Sequence, residues 1–95
     1  MITHIVLFKL KDGSSENVAA TVQVLRNMEG KIDVLRSIEV GTDILHSDRS
    51  YHIALMTRFD SMEALKEYQV HPEHKKVIAH MNEVREASVS VDYEM

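Results

Sequence analysis

Apolar positions dominate the start of the chain in a pattern that suits an extended backbone. In ITHIVLFKL, Ile2, His4, Val6, Phe8 and Leu10 fall on one side of a strand and Thr3, Ile5, Leu7 and Lys9 on the other, because successive side chains point to opposite faces. Both sides are largely apolar, which predicts a strand covered on both faces. Asp12-Gly13 is a turn signal. Ser14 or Ser15 then offers an N-cap, Val18, Val22, Leu25 and Met28 recur at helical spacing, and Gly30 supplies a stop, so a helix is expected over about 15–29.

From Asp33 to Leu45 the text reads as a second strand, bent or bulged at Gly41. The polar run from His46 to Ser50 is a turn, and YHIALMTRF follows as a third strand with Tyr51, Ile53, Leu55 and Phe59 on one face and His52, Ala54, Met56 and Arg58 on the other. Asp60 stands three residues before Glu63, a capping-box spacing that starts a helix carrying Met62, Leu65 and Tyr68. Proline disfavours a helical residue before it and suits a first helical turn, so a new segment is expected from Pro72 with Val77, Ile78, Met81 and Val84 as its apolar stripe. Finally, ASVSVDYEM sets Ala87, Val89, Val91 and Tyr93 against Ser88, Ser90 and Asp92, a half-buried fourth strand.

The order β-α-β-β-α-β predicts an α+β, ferredoxin-like protomer in which the helices cover one face of an antiparallel sheet. Its other face is left open and apolar, and an apolar sheet of that size is normally a partner surface or a ligand wall. A homodimer is therefore expected.

Composition narrows the possibilities. At 95 residues, 44% hydrophobic and 27% charged, the chain suits one domain spanning 1–95 with a modest core of its own. With no cysteine, disulfides, iron–sulfur clusters and Cys-ligated zinc are excluded. The N-terminus has neither a basic region nor a small-residue cleavage site, so a cytoplasmic location is expected, and no apolar run reaches membrane-spanning length. A net charge of -4 with scattered lysines and arginines argues against nucleic acid as a partner.

The densest chemistry lies in YQVHPEHKKVIAH, Tyr68 to His80, which holds three of the six histidines and the only proline. His74 sits along the apolar stripe that continues through Val77, Ile78 and Met81, with Tyr68 just before the helix break. Imidazole titrates near neutrality and a phenol can donate to a developing oxyanion, so Tyr68 and His74 are candidate catalytic residues. The alternative for His74 is a buried histidine satisfied by a backbone carbonyl, and for Tyr68 a core filler. His71 reads as a cap before Pro72 and as a candidate ligand contact; His80 reads as a surface residue. H-P-E-H lacks the i, i+4 spacing of H-E-x-x-H, and no transition-metal site is expected. There is no Gly-rich phosphate loop, nucleophile elbow or cysteine nucleophile.

Three stretches together, H-I-V-L-F-K-L-K, Y-H-I-A-L-M-T-R-F-D-S-M-E-A-L and Y-Q-V-H-P-E-H, resemble the Dabb family, the stress-responsive dimeric α/β-barrel domain, over essentially the whole chain. The resemblance implies protomers that pair sheet to sheet into a barrel with the helices outside. It adds His4 as a candidate ligand-binding residue, and His4 packed between layers as the alternative. Most of the family has no assigned role. A plant branch includes a polyketide cyclase that uses a tyrosine and a histidine of the H-P-x-H element for cofactor-free aldol chemistry, which correspond to Tyr68 and His74. A further cyclase histidine, in its third strand, aligns here with Ile53, while His52 lies one position earlier. Three functions therefore stand: a cofactor-free enzyme acting on a keto or phenolic compound, a non-catalytic small-molecule binder, and a structural dimer module.

Overall fold

The computed structural model describes all 95 residues. In chain order they form β1 (Ile2–Leu10), α1 (Ser15–Arg26), β2 (Ser37–Thr42), β3 (Ile53–Phe59), α2 (Met62–Gln69), α3 (Pro72–Val84) and β4 (Arg85–Glu94). The strands make one antiparallel sheet in the order β2-β3-β1-β4, the split arrangement expected of a ferredoxin-like fold. Register decides what each face carries. Ile2, Phe8 and Leu10 of β1 and Ile53, Leu55, Thr57 and Phe59 of β3 turn toward the helices, where Leu25, Met28, Leu65, Tyr68, Val77 and Met81 complete the buried core.

Local chemistry sets the helix ends. The Ser14 hydroxyl accepts the Asn17 N–H at 3.3 Å and caps α1. The helix proper stops at Arg26, short of the expected 29, and turns carry the chain to Gly30, whose φ of 79° is the left-handed conformation glycine tolerates. Ser61, not Asp60, caps α2 by accepting the Ala64 N–H at 3.2 Å. Asp60 is occupied elsewhere, accepting from Arg36 at 2.9 Å. His71 caps α3 through Nδ1, which accepts the Glu73 N–H at 3.1 Å, and Pro72 follows at the first helical position as its fixed φ favours.

Two strand expectations need correction. The second strand begins only at Ser37, because Ile32 is buried and the chain turns there, with the Leu35 N–H bonded back to its carbonyl. It ends at Thr42, where the Asp43 carboxylate takes the N–H groups of Leu45 and His46 and breaks the ladder. Gly41 lies in regular register opposite Ala54, with no bulge. The fourth strand starts at Arg85 and is exposed along almost all its length rather than half-buried. The helices pack chiefly on β2 and β3, so the polar half of β4 borders a gap in the helix layer. Its apolar half lies on the open sheet face beside Ile5 and Leu7, where Val89 and Val91 are about half exposed (49% and 54%). No helix is long and apolar enough to cross a membrane.

Leu25 is wholly buried, whereas Ile44 in the β2–β3 connection is 90% exposed. Leu25→Ala should lower unfolding free energy by about 3 kcal/mol, and Ile44→Ala by no more than about 0.5 kcal/mol, in urea denaturation followed by circular dichroism.

Candidate functional site

The gap beside β4 is a cleft of about 250 Å³ between α3 and the β1–β4 edge. Strand alternation places His4, Val6 and Phe8 along its floor, and helical spacing brings His74, Val77, Ile78 and Met81 to one wall. The facing wall is polar, with Arg85, Ser88 and Ser90 from β4. This is a half-apolar recess with a few converging polar groups, the usual composition of a small-molecule site.

His74 lies in the first turns of α3, started by the His71 cap. Its Nδ1 stands 3.2 Å from the Gln69 carbonyl oxygen, which can only accept, so Nδ1 bears the hydrogen and Nε2 keeps a free lone pair. Burial lowers the pKa of His74; the Gln69 carbonyl opposes it less strongly, and nearby His4 and His71 add small effects in the direction of burial. His74 is thus a neutral imidazole with Nε2 unprotonated.

His4 is held differently. Its Nδ1 is bonded to the Asp92 carboxylate, directly opposite on β4, and a carboxylate oxygen accepts, so Nδ1 carries a hydrogen. The His4 side chain is only 13% exposed, so this pairing holds the ring firmly at the cleft floor. Asp92 is a site residue the sequence reading missed. The signal was available: in an antiparallel pair, residues directly opposite share a face, and Asp92 is the only acid on the polar half of the alternating ASVSVD segment.

Tyr68 joins the two histidines, but not as expected. Its ring lies 4.3 Å from that of His74, 4.8 Å from Phe59 and 6.4 Å from His4, centre to centre. It is fully buried, and its hydroxyl donates to Met28 Sδ at 3.8 Å, away from the residues that line the cleft. Burial pushes the phenol far above its ordinary pKa, so it stays protonated. In this geometry the hydroxyl does not face the cleft, and the ring packs against His74 with His4 at its edge. His71 is likewise used as a helix cap and does not line the cleft. His80 is not a free surface residue, since its Nε2 pairs with Thr21 Oγ1 at 3.1 Å between α3 and α1. His52 accepts the Leu10 N–H at 2.8 Å and lies against Gly13, where any Cβ would overlap its ring; it takes no part in the cleft. Nowhere do three or more His, Asp or Glu side chains converge in a way that could hold a metal ion.

The family model described as the stress responsive A/B barrel domain, Dabb, matches residues 2–95. The chain belongs to the Dabb family. It is 37% identical over 97 residues to an uncharacterized protein of Streptomyces coelicolor, covering 99% of each. It is 28% identical over 98 residues to the stress-response A/B barrel domain-containing protein DABB1 of Arabidopsis thaliana, covering 98% of this chain and 46% of that protein. A crystal structure from Bacteroides fragilis, a dimeric protein of unknown function with a ferredoxin-like fold, superposes with a TM-score of 0.83 at 34% identity, covering 99% of this chain and 95% of that one.

In this Dabb domain the depressed pKa of His74 links the site to stability. The folded state holds the imidazole neutral and the unfolded chain protonates it more readily, so below the usual imidazole pKa the unfolded state binds more protons and stability falls with falling pH. Lowering the pH from about 7.5 to about 5.5 should reduce the urea midpoint, and His74→Gln should shrink that drop. Proton-detected nitrogen NMR of the histidine rings should show His74 in the Nδ1–H form, titrating below an ordinary imidazole.

Proposed function

We propose that this Dabb domain is a homodimer whose clefts bind a small carbonyl compound and move a proton on it without a cofactor, with His74 Nε2 as the base. The observation that carries this reading is the tautomer of His74, fixed by the Gln69 carbonyl, in a ring kept neutral by burial at a ligand-sized recess. Nε2 takes a proton from the carbon next to the carbonyl, the electron pair passes to the carbonyl oxygen as an enolate, and the imidazolium returns the proton to carbon. Ser88, Ser90 and Asn82 supply the hydrogen-bond donors available to the enolate oxygen from the cleft walls. The buried Tyr68 hydroxyl favours a second reading, a binder without turnover, because the oxyanion donor implied by the cyclase resemblance is turned to Met28.

Solvent deuterium exchange into small ketones, followed by proton NMR, separates the two. The enzyme reading expects exchange above buffer that falls by about a hundredfold or more in His74→Ala. Binding without exchange in the wild-type protein would leave only the binder.

Dimerisation is supported by the open sheet face, where Leu7, Val89, Val91 and Tyr93 are all more than a third exposed, and by the dimeric state of the Bacteroides fragilis relative. Such an interface is isologous, so one charge is buried twice. Val91→Asp should dissociate the dimer or unfold the chain, read by analytical ultracentrifugation and circular dichroism; a wild-type monomer at micromolar concentration would defeat this part of the reading.

A further inference from the structure

The pairing of β1 with β4 shifts by one residue at its end. Lys9 pairs with Ala87 but Leu10 pairs with Arg85, so Glu86 is skipped. Without that bulge, alternation would place Glu86 on the cleft side with Ser88 and Ser90, and Arg85 on the open face. The bulge reverses them. Arg85 becomes a cleft residue, and Glu86 reaches Lys9 on the other side at 3.4 Å. Re-aiming a side chain is what a bulge beside a site does. Here it exchanges an acid for a base.

Arg85 has no carboxylate partner within ion-pair distance. Its Nη1 donates to Ser88 Oγ and its Nη2 to the Asn82 side-chain oxygen, each at 3.4 Å, and both partners line the cleft. These long bonds to neutral acceptors orient the guanidinium in the cleft wall without satisfying its charge. Arg85 is the only lysine or arginine lining the cleft, and Phe8, Val77, Ile78 and Met81 supply apolar surface in the same recess.

We propose that Arg85 anchors a carboxylate, so the ligand of the cleft is a small keto acid with an apolar body rather than a neutral ketone. This rests on the cleft reading above and adds the ligand class to it. A single guanidinium matches one carboxylate in bidentate geometry, whereas a dianionic phosphate ordinarily draws more than one cation or a nest of N–H groups.

The test compares phenylpyruvate with phenylacetone, which replaces the carboxylate by a methyl group, and with phenyl phosphate. Affinities come from NMR titration, and shifts of the His4 and His74 ring signals show where each probe sits. The wild-type dimer should bind phenylpyruvate about tenfold or more tightly than phenylacetone. Arg85→Gln, which keeps a polar group beside Ser88, should abolish that preference, and Arg85→Lys should keep part of it. Equal affinities for the two probes at the cleft, or a preference that survives Arg85→Gln, would overturn the carboxylate assignment and leave the cleft reading intact. Tighter binding of phenyl phosphate would overturn it in favour of a phosphate ligand. No shift of His4 or His74 with any probe would overturn the cleft reading and this inference together.

Discussion

The site depends on one buried ring. Tyr68 lies between Phe59 of the sheet and His74 of α3, with His4 of β1 at its edge and its hydroxyl on Met28 behind α1. A fully buried aromatic contributes through its area and through tilted or edge-on contacts with neighbouring rings. Here those contacts connect the core to both imidazoles. The Tyr68 hydroxyl has only a weak sulfur acceptor, so the ring is fixed by packing on every side more than by polar contact. Moving it would disturb the core before it disturbed the chemistry.

Around that ring, each histidine is assigned by a different neighbour. His74 is oriented by a main-chain carbonyl at the end of α2, a partner set by the break at His71-Pro72. His4 is oriented by a carboxylate on an adjacent strand, a partner set by register. Both place a hydrogen on Nδ1, through unrelated parts of the fold. The two bonds nevertheless differ in consequence. A carbonyl holds a ring without adding charge, and burial then dominates the protonation of His74.

Much of this was legible in the residues, and the failures have physical causes. Hydrophobic alternation located β1 and β3, helical spacing and the proline located α3, and the order of elements implied the split sheet. Strand β2 was overextended because Val34 and Leu35 have strand-like composition but pack beside the core from a turn. The cap of α2 was misplaced by one residue because Asp60 and Ser61 are both good caps, and only the distant Arg36 decides which one is free. Near the cleft, His74 was singled out from its place on the apolar stripe with Tyr68 as its neighbour, and His4 through the family resemblance. The direction of the Tyr68 hydroxyl was not legible, since it depends on Met28, forty residues away. Arg85 was invisible for a sharper reason: simple alternation puts it on the wrong face, and a single skipped residue in the ladder reverses the pattern.

On the proposed reading, that skipped residue gives β4 a part in choosing the ligand. The strand is an edge in the isolated chain, paired on one side only, with Ser88 and Ser90 toward the cleft, Val91 toward the open face and Val89 at the border of both. An edge strand held only by one ladder is among the less stable parts of a fold. Asp92, which orients His4, and Arg85, the one cation lining the cleft, both stand on it. In the proposed dimer, burying Val89 and Val91 would hold β4 from behind while Ser88, Ser90 and Asp92 work in front. Association would then stiffen the cleft wall from behind. The two surfaces would be energetically linked because they are opposite sides of the same backbone, and anything that orders the strand for one orders it for the other.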